Sequence, residues 1–165
     1  MICPRPASAA TLTASHHGRG NDMASNVKNI AKSRTWSGDM DLNLDDMRLL
    51  LLMTNTTADT DVDADNTSGY TLDEMDGTNY ARQNLANEAV NTDDTNDRAE
   101  FDADDVSIAS LGNGTRQMQG ALIHEFITND AGSFPFVWVE FSSTINPGGS
   151  TFTVTWNAEG VAQQT

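Results

Sequence analysis

The sequence predicts an all-β protein: an antiparallel β-sandwich, jelly-roll-like, with an extended N-terminal arm. Two observations carry this. From Trp36 onward the apolar residues fall in short runs of strand length. Those runs are separated by clusters of Asn, Asp and Gly, whose side chains or backbone freedom favour turns. The 19 Thr and 15 Asn suit the same design, because Thr fits exposed strand faces and Asn fits turns. Roughly eight strands joined in this way point to a sandwich rather than to alternating βαβ units. No internal repeat with a period of about 20–50 residues is visible, which argues against propellers and solenoids.

Taken in order, residues 1–22 hold small residues and two prolines with no apolar period at 3.6 or 2.0, so they are expected to be disordered or an upstream extension. Thr, Ser and His interrupt any apolar stretch of the roughly 7–15 residues a signal peptide needs, and Met23-Ala24-Ser25-Asn26 reads as a translation start. Residues 23–37 form a basic N-terminal arm with Lys28, Lys32 and Arg34. Residues 38–165 form the β-sandwich domain, with an acidic loop at 55–79. Met47–Met53 is a central strand ended by Thr54-Asn55-Thr56-Thr57. Residues 80–90 read as extended chain, since Asn84, Asn87 and Asn91 are poor helix formers. Val106–Leu111 alternates, with Val106, Ile108 and Ser110 on one face and Ser107, Ala109 and Leu111 on the other. Gly112-Asn113-Gly114 then marks a turn needing positive φ. Residues 121–128 and 136–142 form a hairpin around residues 129–133. Asn146-Pro147-Gly148-Gly149 turns the chain into a last strand, where Phe152, Val154 and Trp156 face the core.

Charge and length narrow the function. With 165 residues the chain is one domain by the usual length prior. Its 24 Asp and Glu against 9 Lys and Arg give −15, so a phosphate backbone is repelled and nucleic acid is not an expected partner. The longest apolar run contains Arg48 and falls far short of the roughly 20 residues that span a bilayer, so no membrane partner is expected. A single cysteine, Cys3, excludes an intrachain disulfide.

Candidate chemistry is sparse. Asp59, Asp61, Asp63 and Asp65 alternate, with Asp73, Glu74 and Asp76 behind them, and such oxygen ligands suggest calcium. The loop grammar fails, because an EF-hand starting at Asp63 has Ser68 where glycine is required. A solvated acidic loop is the expectation, with no metal and no cofactor. There is no Gly-x-Ser-x-Gly elbow, and apart from His16 and His17 the only histidine is His124, inside an apolar strand, where it reads as a core or interface residue. No catalytic residue is expected. Fifteen acids against Arg82 and Arg98 between Asp59 and Asp105 set an acidic middle against the basic arm. That asymmetry suggests docking on an acidic partner surface, with Trp36 either anchoring the arm or filling a partner's pocket. The expected partner-interface residues are therefore Lys28, Lys32, Arg34 and Trp36.

The order of segments carries one further signal. A basic arm with Gly38-Asp39 leads into Asp45-Asp46-Met47-Arg48-Leu49-Leu50-Leu51, then Leu72-Asp73-Glu74-Met75-Asp76-Gly77-Thr78-Asn79-Tyr80-Ala81-Arg82. Asn96-Asp97-Arg98-Ala99-Glu100-Phe101 and a closing Asn146-Pro147-Gly148-Gly149 with Phe152-Thr153-Val154-Thr155-Trp156 follow. This succession, over about residues 24–160, resembles the small virion structural proteins of tailed bacteriophages, of the capsid decoration or cement type. The resemblance implies a non-enzymatic protein on the capsid surface of the virion. It would bind the major capsid protein and further copies of itself, with no catalytic residues to carry over. A tail, neck or fibre component is the alternative within the virion, and a calcium-dependent carbohydrate-binding β-sandwich the alternative outside it.

Overall fold

A seven-residue run in which only Arg48 is polar cannot turn either face to water, so a strand formed there needs a cover on each side. The computed structural model describes residues 10–13, 26–157 and 159–164. Its elements begin with β1 (Ala10–Thr13), β2 (Asn26–Val27), helix α1 (Asn29–Ser37) and β3 (Met47–Met53). After a 3-10 turn at Thr67–Gly69 come β4 (Gln83–Asn84), β5 (Ala89–Asp93), β6 (Arg98–Asp102) and β7 (Val106–Leu111). The chain closes with β8 (Met118–Glu125), β9 (Phe134–Ile145), β10 (Ser150–Thr155) and β11 (Ala162–Gln164). The protein is all-β in class. Its strands form three sheets, ordered β2-β9-β8-β3-β4, β1-β10-β7 and β11-β6-β5, with every pairing antiparallel except β1 on β10.

The five-stranded sheet is the centre. Met47, Leu49, Leu51 and Met53 face one side and share a core with Val106, Ile108, Phe152 and Val154 of one small sheet and Phe101 and Ala162 of the other. Leu50 and Leu52 face the opposite side, together with Leu122 and Trp138, and meet Ala58 and Tyr70. Segment 55–79, expected as a solvated acidic loop, is therefore the second cover of the sheet. Asp63, Asp65 and Asp76 look outward, Asp73 and Glu74 are held by Arg116 and Arg82, and Ala58, Thr67 and Tyr70 are buried beneath. Thr67 N and Ser68 N donate to Ser133 O and Asp130 O at 2.9 and 3.0 Å, fastening the cover to the β8–β9 loop.

Four local expectations change. The segment expected as an extended arm forms β2 and α1; its one buried helical residue is the small Ala31, which leaves no apolar period to read. Gly38, at φ +79°, ends the helix, a conformation glycine adopts without penalty. In β7 the alternation breaks at Ser110, whose φ of +51° and the register shift opposite Ser150 and Phe152 mark a bulge. Leu111 thereby joins Val106 and Ile108 in the core. Positive φ thus falls on Ser110 rather than on the glycines that follow, and Gly112 is needed for space, since a Cβ there would collide with the Thr78 hydroxyl. Ala10–Thr13, inside the stretch expected to lie outside the fold, adds a parallel strand to β10. The other residues of 1–22, with Cys3, His16 and His17, lie outside the described residues. β3, β8, β9 and β10 fall where the apolar runs place them, and Phe152, Val154 and Trp156 are buried, whereas β5, β6 and β11 are polar strands that no apolar run marks.

Lys28 departs furthest from expectation. It is fully buried, and its ammonium donates to Ala58 O at 2.6 Å and Asp61 O at 2.7 Å, with the Tyr70 ring 5.3 Å away. Desolvation pulls its pKa down to about 8, against the opposing pull of Asp61 and Asp59, so it stays charged at neutral pH. A buried ammonium bonded to carbonyls ties the cover to the start of α1. Replacing Lys28 by Met should destabilise the fold by about 2–4 kcal/mol, because those carbonyls lose their donor, while Lys32→Met should stay within about 0.5 kcal/mol. Urea unfolding of the two variants checks this directly.

His124 is also fully buried, between the sheet and the cover. The single hydroxyl hydrogen of Thr67 goes to Ser133 O at 3.2 Å, so the 3.1 Å contact of Thr67 Oγ1 with His124 Nδ1 is donated by the ring. Nε2 is left with no hydrogen-bond partner, and burial, with Arg82 nearby, pushes the pKa down to about 4. Between that value and the ordinary 6.5 the unfolded chain binds more protons than the folded one. His124 therefore contributes stability that is present above pH 6.5 and lost as the pH falls toward 4. The loss should reach about 3 kcal/mol at most. Chemical denaturation at pH 7 and pH 4 should show His124→Gln losing less stability than the parent protein over that interval.

Candidate functional site: an apolar groove beside Trp36

After Gly38 the chain makes a turn at 41–45, in which Asp41 N donates to Asp45 Oδ2 and Asn43 N to Asp41 Oδ1. The turn reaches β5, where Asn43 Oδ1 accepts from Val90 N at 2.8 Å. Helix α1, this turn and the sheet β11-β6-β5 together enclose a groove of about 650 Å³. Phe101 and Phe136, edge to face at 5.4 Å, and Val27, Leu42 and Val90 give it an apolar lining. Trp36 stands on the rim, 81 % exposed.

Its charged lining is small. Lys32, exposed, donates to Asn29 Oδ1 at 3.3 Å, and Glu100 is held by Arg98 at 2.8 Å. Arg98 also meets Asp93 and Glu159, each at 3.2 Å. Such a groove offers shape and apolar area to a visitor.

Of the four expected interface residues, Lys32 and Trp36 come together here and Lys28 and Arg34 do not. Lys28 is consumed beneath the cover. Arg34 stacks on Phe134 with 3.7 Å to the ring centre and reaches both oxygens of Glu125, at 3.2 and 3.3 Å. The Glu125 carboxyl is pushed above its ordinary range by burial, with Arg34 pulling it back. Sequence reading missed Leu42, Leu44 and Val90. Their signal is that each is an isolated large apolar residue in a polar stretch, and Leu44 and Val90 remain 84 % and 44 % exposed.

Elsewhere the charged clusters satisfy themselves. Arg82 joins Glu74 at 2.7 Å and Asp130 at 2.5 Å, while Tyr80 donates to Glu74 at 2.8 Å and accepts from Leu51 N at 3.1 Å. Bonds to Asp130 and Glu74 raise the Arg82 pKa further, and burial raises that of Tyr80. The acids considered for calcium diverge. Asp59 accepts from Gln119, Asp63 from Asn29, Asp73 from Arg116 and Asp76 from Thr115 N. Among the described residues no group of three or more His, Cys, Asp or Glu is placed to hold a metal ion, and no helix is long and apolar enough to cross a membrane.

Comparison with protein-family models, curated proteins and solved structures returned no match. The site therefore rests on its geometry. An exposed tryptophan contributes little to folding, so Trp36→Ala should change stability by no more than about 0.5 kcal/mol, whereas Phe136→Ala in the groove lining should cost about 3–5 kcal/mol. Thermal unfolding of the pair separates a surface built for a partner from one needed by the fold.

Proposed function

We propose that this protein is a structural component of a tailed-phage virion, a decoration or cement protein that binds and stabilises the head shell from the capsid surface. The carrying observation is Trp36, which stands 81 % exposed on the rim of the apolar groove. Large exposed aromatic side chains beside a pocket are characteristic anchors of protein interfaces. On a repeating lattice many modest contacts of this kind add through multivalency, as a cement protein requires. The resemblance to virion structural proteins supplies the lattice, with the major capsid protein and neighbouring copies as partners.

The docking set is revised from the expected four residues to Lys32 and Trp36, because changing Lys28 or Arg34 would disturb the fold before it disturbed binding. A variant carrying Lys32→Glu and Trp36→Ala should keep its melting temperature and lose shell binding in a particle co-sedimentation assay; retained binding would overturn the assignment. Quantitative mass spectrometry of purified particles places the protein: copies in the hundreds support a shell-wide cement, a few dozen or fewer a neck, tail or fibre component, and absence from particles removes the virion reading.

A further inference from the structure

Resting on that docking reading, we infer that the groove receives a basic, apolar-sided segment of a different polypeptide rather than a second copy of this chain. Three observations lead there. The exposed large hydrophobics are Trp36, Leu44, Val90 and Ile127, and the first three belong to the helix, turn and strand that enclose the groove. Trp36 and Val90 themselves line the groove, and Leu44 lies in the turn whose Leu42 does, so much of the exposed apolar surface is associated with one opening.

Charge selects the partner. The β5–β6 hairpin that forms one wall, with its flanks from Glu88 to Asp105, carries Glu88, Asp93, Asp94, Asp97, Glu100, Asp102, Asp104 and Asp105 against Arg98 alone. Arg98 is already taken by Asp93, Glu100 and Glu159. A second copy would bring a further net charge of −15 to this wall, and at contact distances salt screens such repulsion poorly. A segment with Lys or Arg facing the hairpin finds complementary charge there, while Lys32, across the groove on α1, is left for an acidic or carbonyl group of the same segment.

The backbone selects the shape. In the sheet β11-β6-β5 the outer strands β5 and β11 have no further strand neighbour among the described residues, and Gln163 and Gln164 of β11 line the groove. An extended segment whose side chains alternate can place apolar groups on the Phe101 and Phe136 lining and basic groups toward the hairpin.

The test uses three labelled ten-residue probes, alternating Leu-Lys, alternating Ser-Lys and alternating Leu-Glu, titrated against the whole protein by fluorescence anisotropy. The Leu-Lys probe should bind about tenfold or more tighter than either control, weaken as salt is raised, and lose about tenfold or more in affinity in Trp36→Ala and in Val90→Ser. Equal binding of Ser-Lys and Leu-Lys would reduce the effect to bulk charge and overturn the inference. So would unchanged binding in Trp36→Ala, or sedimentation as a dimer that Trp36→Ala dissolves. Shell binding that persists while all three probes fail would sink this inference and leave the virion assignment standing; Leu-Lys binding without shell binding would do the reverse.

Discussion

Everything in this structure follows from a strand that is apolar on both faces. Met47–Met53 cannot border water on either side, and one layer of sheet cannot hide it. Two small sheets cover one face, laying Val106, Ile108, Phe152, Val154, Phe101 and Ala162 against it. The other face is covered by a segment so acidic that it would be expected to stay solvated. It serves as a cover because its few apolar residues, Ala58 and Tyr70 among them, are placed over Leu50, Leu52, Leu122 and Trp138, while its carboxylates either stay in water or are met by Arg82 and Arg116.

Such a cover presents backbone carbonyls to the interior, and these need donors. Lys28 supplies them at Ala58 and Asp61. The same logic consumes most of the positive charge. Of the seven Lys and Arg after residue 25, Arg34, Arg48, Arg82, Arg98 and Arg116 are ion-paired and Lys28 is buried on carbonyls. Basic residues in this chain hold segments together, and the outer surface is left anionic by default.

The strands were legible because their information is local. Leu49–Leu52 and the Phe152, Val154, Trp156 alternation announce burial within a few residues, and both hold in the structure. What could not be read depends on partners distant in the chain. Helix α1 buries only Ala31, so its existence rests on β9 and the cover rather than on its own pattern. Ser110 breaks its alternation because β10 meets it one residue out of step, a property of the pair. The candidate site was half legible. Trp36 and Lys32 stand out in sequence, but the fates of Lys28 and Arg34 are decided by Asp61 and Glu125, 33 and 91 residues away.

Burial of Lys28 has a practical corollary for chemistry on this protein. The chain contains only two lysines, and the other is Lys32. With the first ammonium enclosed under the cover, an amine-reactive reagent meets one lysine on the folded surface, and that one lines the groove. Among the lysine side chains, a dye, crosslinker or affinity handle delivered by ordinary acylation is thus addressed by the fold itself to Lys32 and the groove it lines.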